Sequence, residues 1–244
     1  MKSKIVVLIS VLLLLTGCAE VLNQFAQSAA KGQAPGLTTE EIIRGLKEAL
    51  VVGATNTVFE TSKTDGFYKN PLIVIPFPPE AIKVKKTVED LGLKSIVKDF
   101  EESLNRAAEE ASKKALPILK SAVMNMTIND AMGILKGADN AATEYLKRTT
   151  SAALTAEFTP VVKKAVETVE VTKYWNPIVT AYNKTTWLTG EKAVNPDLDK
   201  YITQKALDGM FLLIAKEELK IRKDPVARVT DILKKVFGYN QIKK

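Results

Sequence analysis

The sequence predicts an all-α fold: a single multi-helix, bundle-like domain with one short proline-flanked extended segment at about residues 70–79. Three observations predict it. Apolar residues recur at three- and four-residue spacing, most clearly as Leu93, Ile96, Val97, Phe100, Leu104, Ala107, Ala108 and Ala111. Helix start and stop signals punctuate the chain, with Thr38 before Glu41, Thr127 before Asp130, and Gly92 and Gly137 as stops. Only residues 70–79 have strand character, and their prolines remove the ladder donors that a central strand needs.

The elements follow in order. Thr38 and Glu41 form a capping box that opens the first helix, whose face carries Ile42, Ile43, Leu46, Leu50 and Val58. Asp65-Gly66 is a turn pair and ends it. Residues 70–79 read as an apolar segment lying on the helices or as a short edge hairpin. Pro79 and Glu80 start a helix that runs to about Asp90 and stops at Gly92. The amphipathic helix from Leu93 presents Lys98, Glu101, Glu102, Glu109 and Lys113 on its opposite, solvated face, and Pro117 kinks or restarts it. Thr127 and Asp130 cap a short helix ending at Gly137, another begins near Asp139, and Thr159-Pro160 is read as the start of a further one. Trp175-Asn176-Pro177 and Asn195-Pro196-Asp197 are read as breaks, with a loop through Gly190 between them. The helix after Pro196 contains residues 210–215, apolar all round and therefore expected at the domain centre. Asp224-Pro225 opens a last helix carrying Val226, Val229, Ile232, Leu233, Val236 and Phe237, with Gly238 as its end.

Apolar residues make up 46% of the 244, and charged residues 26%, a balance that can bury a core. The one cysteine excludes an internal disulfide, so the fold stands on packing. The absence of histidine excludes a Ser-His-Asp triad, a Cys-His pair and a histidine zinc site. Formal net charge is +7, of which Lys2 and Lys4 supply two, but acidic and basic residues are interspersed as on solvated helix faces. No nucleic-acid partner is expected. No Walker loop, Rossmann glycine pattern, Gly-x-Ser-x-Gly elbow or EF-hand loop occurs, and no cofactor, metal ligand set or catalytic residue is assigned.

The amino terminus reads as a leader over residues 1–17. Lys2 and Lys4 precede an apolar run, residues 5–15, too short for the roughly 20 residues of a spanning helix. The run ends in Leu15-Thr16-Gly17-Cys18, which looks like a bacterial lipobox. Small residues at 16 and 17 admit the peptidase, and the Cys18 thiol is the nucleophile that accepts the lipid. Two or more acyl chains hold firmly where one does not. Ala19 stands where an inner-membrane retention signal has Asp, so the expected address is the outer membrane, facing the periplasm. Residues 19–37 then read as a polar, flexible tether, and residues 38–244 as one helical domain.

Several segments together carry a family likeness. They are Lys63-Thr64-Asp65-Gly66-Phe67, Ser103-Leu104-Asn105-Arg106-Ala107-Ala108-Glu109, and Leu135-Lys136-Gly137-Ala138-Asp139-Asn140-Ala141-Ala142-Thr143. Leu146-Lys147-Arg148-Thr149-Thr150, Lys205-Ala206-Leu207-Asp208-Gly209-Met210-Phe211 and Asp224-Pro225-Val226-Ala227-Arg228 complete the set. It resembles the bacterial envelope family known as domain of unknown function 4197, over roughly residues 38–238. The resemblance implies a leader, often a lipobox, and one helical domain. It implies no activity, cofactor or catalytic residue.

The candidate ligand-binding residues are Asn105, Arg106, Asp139, Arg148 and Asp208. Glu144 and Arg148 share a helix face, so with Asp139 they make either a polar site for an anion or sugar, or an i,i+4 ion pair behind a helix start. Asn105 adjoins the buried face of its helix and needs a partner there. Gly209 costs roughly 1 kcal/mol against alanine in a helix, so Asp208-Gly209 marks either close packing or a backbone approach to a ligand. Glu217, Glu218 and Arg222 look like surface pairs. Tyr174, Trp175, Tyr182 and Trp187 either pack a loop down or form a glycan or lipid-headgroup surface. The reading favoured is a non-enzymatic envelope module that binds a protein, glycan or apolar partner. The alternatives are a carboxylate enzyme acting on cell-wall or surface polysaccharide, with Asp139, Asp208 and Glu217 as candidates, a carrier of an apolar or lipid ligand, and a structural brace of the envelope.

Overall fold

The computed structural model describes residues 38–90, 92–168, 171–190, 192–194, 197–227 and 234. The leader, Cys18, the tether and the expected last helix beyond Ala227, apart from Lys234, lie outside the described residues. The chain divides into a unit over residues 1–42 and a compact unit over residues 43–244. Among the described residues the regular elements are all helical: α1 Thr39–Ser62, α2 Ile82–Asp90, α3 Lys94–Ser112, α4 Ala115–Met124, α5 Ile128–Lys136, α6 Ala141–Thr168, α7 Val171–Thr189 and α8 Leu198–Lys223, with 3-10 turns at Pro79–Ala81 and Pro225–Ala227. The all-α expectation holds.

Local signals set several helix ends. At the first turn of α1, the Thr38 hydroxyl accepts from the Glu41 amide at 3.1 Å and the Glu41 carboxylate accepts from the Thr38 amide at 2.9 Å. Thr127 and Asp130 make the same reciprocal box at α5. Asp197 caps α8 by accepting from the amides of Asp199 and Lys200. Gly92 and Gly190 take left-handed backbone at φ 84° and 71°, ending the turns that precede them.

The core lies around α6, which packs against α3, α4, α5, α7 and α8, while α3 and α8 also touch each other. A buried stripe runs along α6 at every fourth position, Ala142, Leu146, Thr150, Leu154, Phe158, Val162 and Val166, with Thr143 and Tyr145 buried beside it in the first turns. On a helix of 3.6 residues per turn such a stripe drifts by about 40° per step. The two ends of α6 therefore bury against different neighbours. This continuous stripe corrects the expected start at Thr159-Pro160, because the helix runs through Pro160. Pro160 is exposed, as is Ala156, so the carbonyl that loses its intrahelical donor faces water. Helix α7 likewise runs through Trp175-Asn176-Pro177, where a break was expected. Trp175 and Val179, buried at 3% and 1% exposure, hold both sides of that proline in the core. Pro117 falls at the third position of α4, a restart after the Lys113-Lys114 turn.

Two further expectations change. Residues 210–215 are not buried all round: Met210, Phe211 and Ile214 are, whereas Leu212 is exposed. Glu109 is not on the solvated face of α3; it is 4% exposed.

Of the extended segment expected at about residues 70–79, residues 71–73 form a turn in which the Ile73 and Val74 amides donate to the Asn70 carbonyl, residues 74–78 run extended without strand pairing, and Pro79 opens the 3-10 turn. Ile73, Ile75 and Phe77 are buried while Leu72, Val74 and Pro76 face outward, the period of two that extended backbone gives. Phe77 packs against Phe100 and Trp175 at ring distances of 4.8 and 5.6 Å, and those two rings stack at 5.0 Å. The segment also explains Gly209. A β-carbon there would meet the Ile73 Cβ and the Phe67 ring at 3.0 Å, so α8 carries glycine to let this segment lie against it.

Gly209→Val should therefore lower stability by about 2 kcal/mol or more through overpacking. Gly133 is the contrasting case: it lies on an exposed face of α5, and a β-carbon there would meet no atom within 4 Å. Gly133→Ala should raise stability by about 0.5–1 kcal/mol. Urea denaturation of the two variants checks both signs.

Candidate functional site

The most concentrated polar chemistry lies where the chain after α1 crosses α3. Asp65 sits at φ 66°, a left-handed conformation that Asp tolerates, and Gly66 follows because a β-carbon would lie 2.2 Å from the Glu60 carbonyl oxygen. The turn brings the amides of Phe67 and Tyr68 over α3, where both donate to Glu109 Oε1 at 3.0 and 3.2 Å. The second carboxylate oxygen of Glu109 accepts from Arg106 at 2.8 Å. Arg106 also donates to Asp65 at 2.6 Å and to Glu102 at 2.9 Å, and its guanidinium stacks 5.5 Å from the Tyr68 ring. Burial works against the charge on Arg106, but the bonds from Glu109, Asp65 and Glu102 outweigh it and hold it above the ordinary arginine range. Hydrogen bonds from Lys69 and then Arg106 lower the Asp65 carboxyl.

One turn back on α3, Asn105 is fully buried. Its carboxamide accepts from the Ile75 amide at 2.8 Å and donates to the Ile75 carbonyl at 2.9 Å, with a further bond to the Glu101 carbonyl at 2.7 Å. It thus gives the extended segment the two backbone partners that a neighbouring strand would supply.

A second cluster lies where α8 meets the junction between α5 and α6. Glu218, expected on the surface, is 7% exposed. Its carboxylate accepts from the amides of Ala142 and Thr143 at 3.0 and 2.9 Å and from the Thr143 hydroxyl at 2.8 Å. These amides belong to the first turn of α6, whose donors have no intrahelical partner and whose dipole favours an anion. Arg222 donates to Glu218 at 2.8 and 3.0 Å and to the Ile134 carbonyl at 2.9 Å, in the last turn of α5. A carboxylate at one helix start and a guanidinium at another helix end pin the α5–α6 junction to α8. Beside this pair, a cavity of about 20 Å³ lies between α1, α6 and α8, lined by Leu50, Gly53, Ala54, Leu146, Ile214 and Arg222, among others. It holds little more than a water molecule.

The remaining sequence candidates lie apart from these clusters. Asp139 pairs with Lys223 at 2.8 Å, both largely exposed. Arg148 turns away from Glu144 toward Asp130 at 3.7 Å and lies 5.6 Å from the Tyr145 ring. Glu144 accepts from Asn140 instead. The expected i,i+4 pair of Glu144 with Arg148 does not form. Asp208 is exposed and accepts from Gln204 at 2.9 Å, and Glu217 accepts from Asn56 at 3.3 Å. Of the aromatic group, Trp175 packs in the core and Trp187 is 78% exposed. Among the described residues no cluster of three acidic or sulfur side chains is arranged to hold a metal ion. The sequence reading missed Glu109 and Glu218; the only available signal was that each sits within one turn of a buried-face residue.

The family model described as "Protein of unknown function (DUF4197)" matches residues 36–238. The chain belongs to the DUF4197 family. No curated protein and no solved structure matches it. The segments by which the sequence resembles DUF4197 fall largely on the two clusters. Residues 63–67 and 103–109 meet at Arg106 and Glu109, residues 205–211 pack beneath them through Gly209, and residues 135–143 form the junction held by Glu218 and Arg222.

Glu109→Ala should lower stability by about 3 kcal/mol, because two amides lose their acceptor. Glu218→Ala should cost about 3–5 kcal/mol by also leaving Arg222 without its buried partner. Guanidinium denaturation measures both. Asp65 has a folded-state pKa below its ordinary value of 3.8, so its contribution is present above that pH and lost as pH falls through the folded value. Asp65→Asn keeps the left-handed backbone and removes the charge. Its melting temperature should fall less steeply than the wild type's below pH 3.8, as thermal scans across acid pH would read.

Proposed function

We propose that this DUF4197 member is a lipid-anchored bacterial envelope protein whose helical domain works by binding a partner. The observation that carries the anchor is the order of residues at the amino terminus. A positive start at Lys2 and Lys4 and an apolar run over residues 5–15 lead into Leu15-Thr16-Gly17-Cys18, and Cys18 is the sole cysteine of the chain. The run has the length of a signal-peptide core and falls short of a spanning helix. Ala19 after the cysteine favours the outer membrane over retention at the inner one.

The binding role draws support from how the buried charges are engaged. Glycoside hydrolysis needs two carboxyl groups facing each other across about 5–10 Å with a substrate between them. Glu109 and Glu218 instead accept from backbone amides and from Arg106 and Arg222. The carboxylates expected for that chemistry, Asp139, Asp208 and Glu217, are engaged separately with Lys223, Gln204 and Asn56. Such charges position backbone, and a rigid scaffold that presents its surface is the role they suit.

Cells expressing the full chain and fed a palmitate analogue should incorporate label into the wild type and none into Cys18→Ala. The wild type should stay with membranes through a carbonate wash. Equal labelling of both proteins, or no labelling of the wild type, would remove the anchor from the account.

A further inference from the structure

Helix α7 begins in the core and ends outside it. Trp175 is 3% exposed and stacks on Phe100. Twelve residues on, about 18 Å along the axis at 1.5 Å per residue, Trp187 is 78% exposed and Leu188 is 68% exposed. The helix ends at Thr189, and Gly190 turns the chain in left-handed backbone. The chain then returns to a neck. The Asn183 carboxamide accepts from the Val194 amide and donates to the Val194 carbonyl, both at 2.8 Å, and Val194 is 3% exposed. The described residues between them, 184–190, 192 and 193, are thus pinched off as a short tip on a closed base.

Single exposed leucines are ordinary on protein surfaces, but a large aromatic beside one, at the end of a constrained tip, is an apolar patch with a use. Its charges point to the occupant. Lys184 and Lys192 are exposed and stand in sequence next to the neck, with the apolar pair between them. Outward from the base, the tip reads cation first and apolar side chain last. Glu191 is the one carboxylate of the segment, against two lysines. An indole with an apolar body and a polar N–H favours the boundary between headgroups and acyl chains, and lysine stems cover apolar surface while their ammonium groups stay at the charged layer.

We infer that the 184–193 tip is a membrane-contact element, with Trp187 and Leu188 entering the interfacial zone of an anionic bilayer and Lys184 and Lys192 at its headgroups. This rests on the anchored reading above: acyl chains at Cys18 keep the domain beside one bilayer, and the tip fixes which face of it is turned to the lipid.

Trp175 and Trp187 are the two tryptophans of the chain, one buried and one exposed, so fluorescence separates them. The mature acylated protein is reconstituted into phosphatidylglycerol–phosphatidylethanolamine vesicles with brominated acyl chains and collected by flotation. Wild-type emission should shift to the blue relative to detergent-free protein and be quenched by bromine. Trp187→Phe should retain emission from Trp175 alone and lose that quenching, and Lys184→Glu with Lys192→Glu should weaken it. A protein that floats while Trp187 stays red-shifted and unquenched overturns the inference and leaves the anchor standing. A wild type that fails to float overturns both. Quenching that persists unchanged in Trp187→Phe also overturns it. A Trp187 untouched by lipid bromine yet shielded from aqueous acrylamide assigns the tip to a protein surface, a second copy of the chain included, and overturns it as well.

Discussion

A helical domain must find partners for the buried backbone that its helices' own hydrogen bonds leave over, and here three buried side chains on two helices supply six of them. Asn105 holds both backbone groups of Ile75, Glu109 takes the amides of Phe67 and Tyr68, and Glu218 takes those of Ala142 and Thr143. Left without acceptors, buried amides cost about 1–3 kcal/mol each. That is a large fraction of the net stability of a domain, roughly 5–15 kcal/mol. With one cysteine and no histidine, an internal disulfide and a histidine zinc site are closed to this protein. Hydrogen bonds across long sequence separations take that part.

The two arginines complete the logic. A carboxylate buried for its backbone partners needs a counter-charge, and Arg106 and Arg222 provide it one turn away on the same helices. Each guanidinium then reaches beyond its own helix, Arg106 to Asp65 in the turn after α1 and Arg222 to the Ile134 carbonyl at the end of α5. The Glu218–Arg222 pair therefore joins three stretches of chain, and the Glu109–Arg106 pair joins two. Gly209 and Gly66 belong to the same arrangement, since a side chain at either would push the crossing segment away.

How much of this was legible in the sequence follows from the range of each interaction. The caps at Thr38 and Thr127 lie three residues from their partners, and both were readable. The apolar stripe of α3 was readable for the same reason. Asn105 stood out as an amide against a buried face, and Gly209 as a glycine with no local purpose, though the close packing it serves is with the extended segment. Glu109 and Glu218 were read as solvated because their partners lie 42 and 75 residues away, and nothing in the local spacing separates them from Glu102 or Glu217. Pro160 reads as a helix start and Pro177 as a break because local rules weigh the lost hydrogen bond alone, whereas the buried residues on both sides of each hold the helix together. The exposed end of α7 is the same lesson reversed: Trp187 and Trp175 are alike in the sequence, and only packing tells the core ring from the surface one.

The central claim, that buried side chains of α3 and α8 hold the connecting backbone of a DUF4197 domain, is tested most directly by native-state hydrogen exchange. The account predicts that the amides of Phe67, Tyr68, Ile75, Ala142 and Thr143 exchange only with global unfolding, alongside core amides of α6 such as that of Leu154. Exchange of these five at the rate of solvent-exposed loop amides, with α6 still protected, would contradict it.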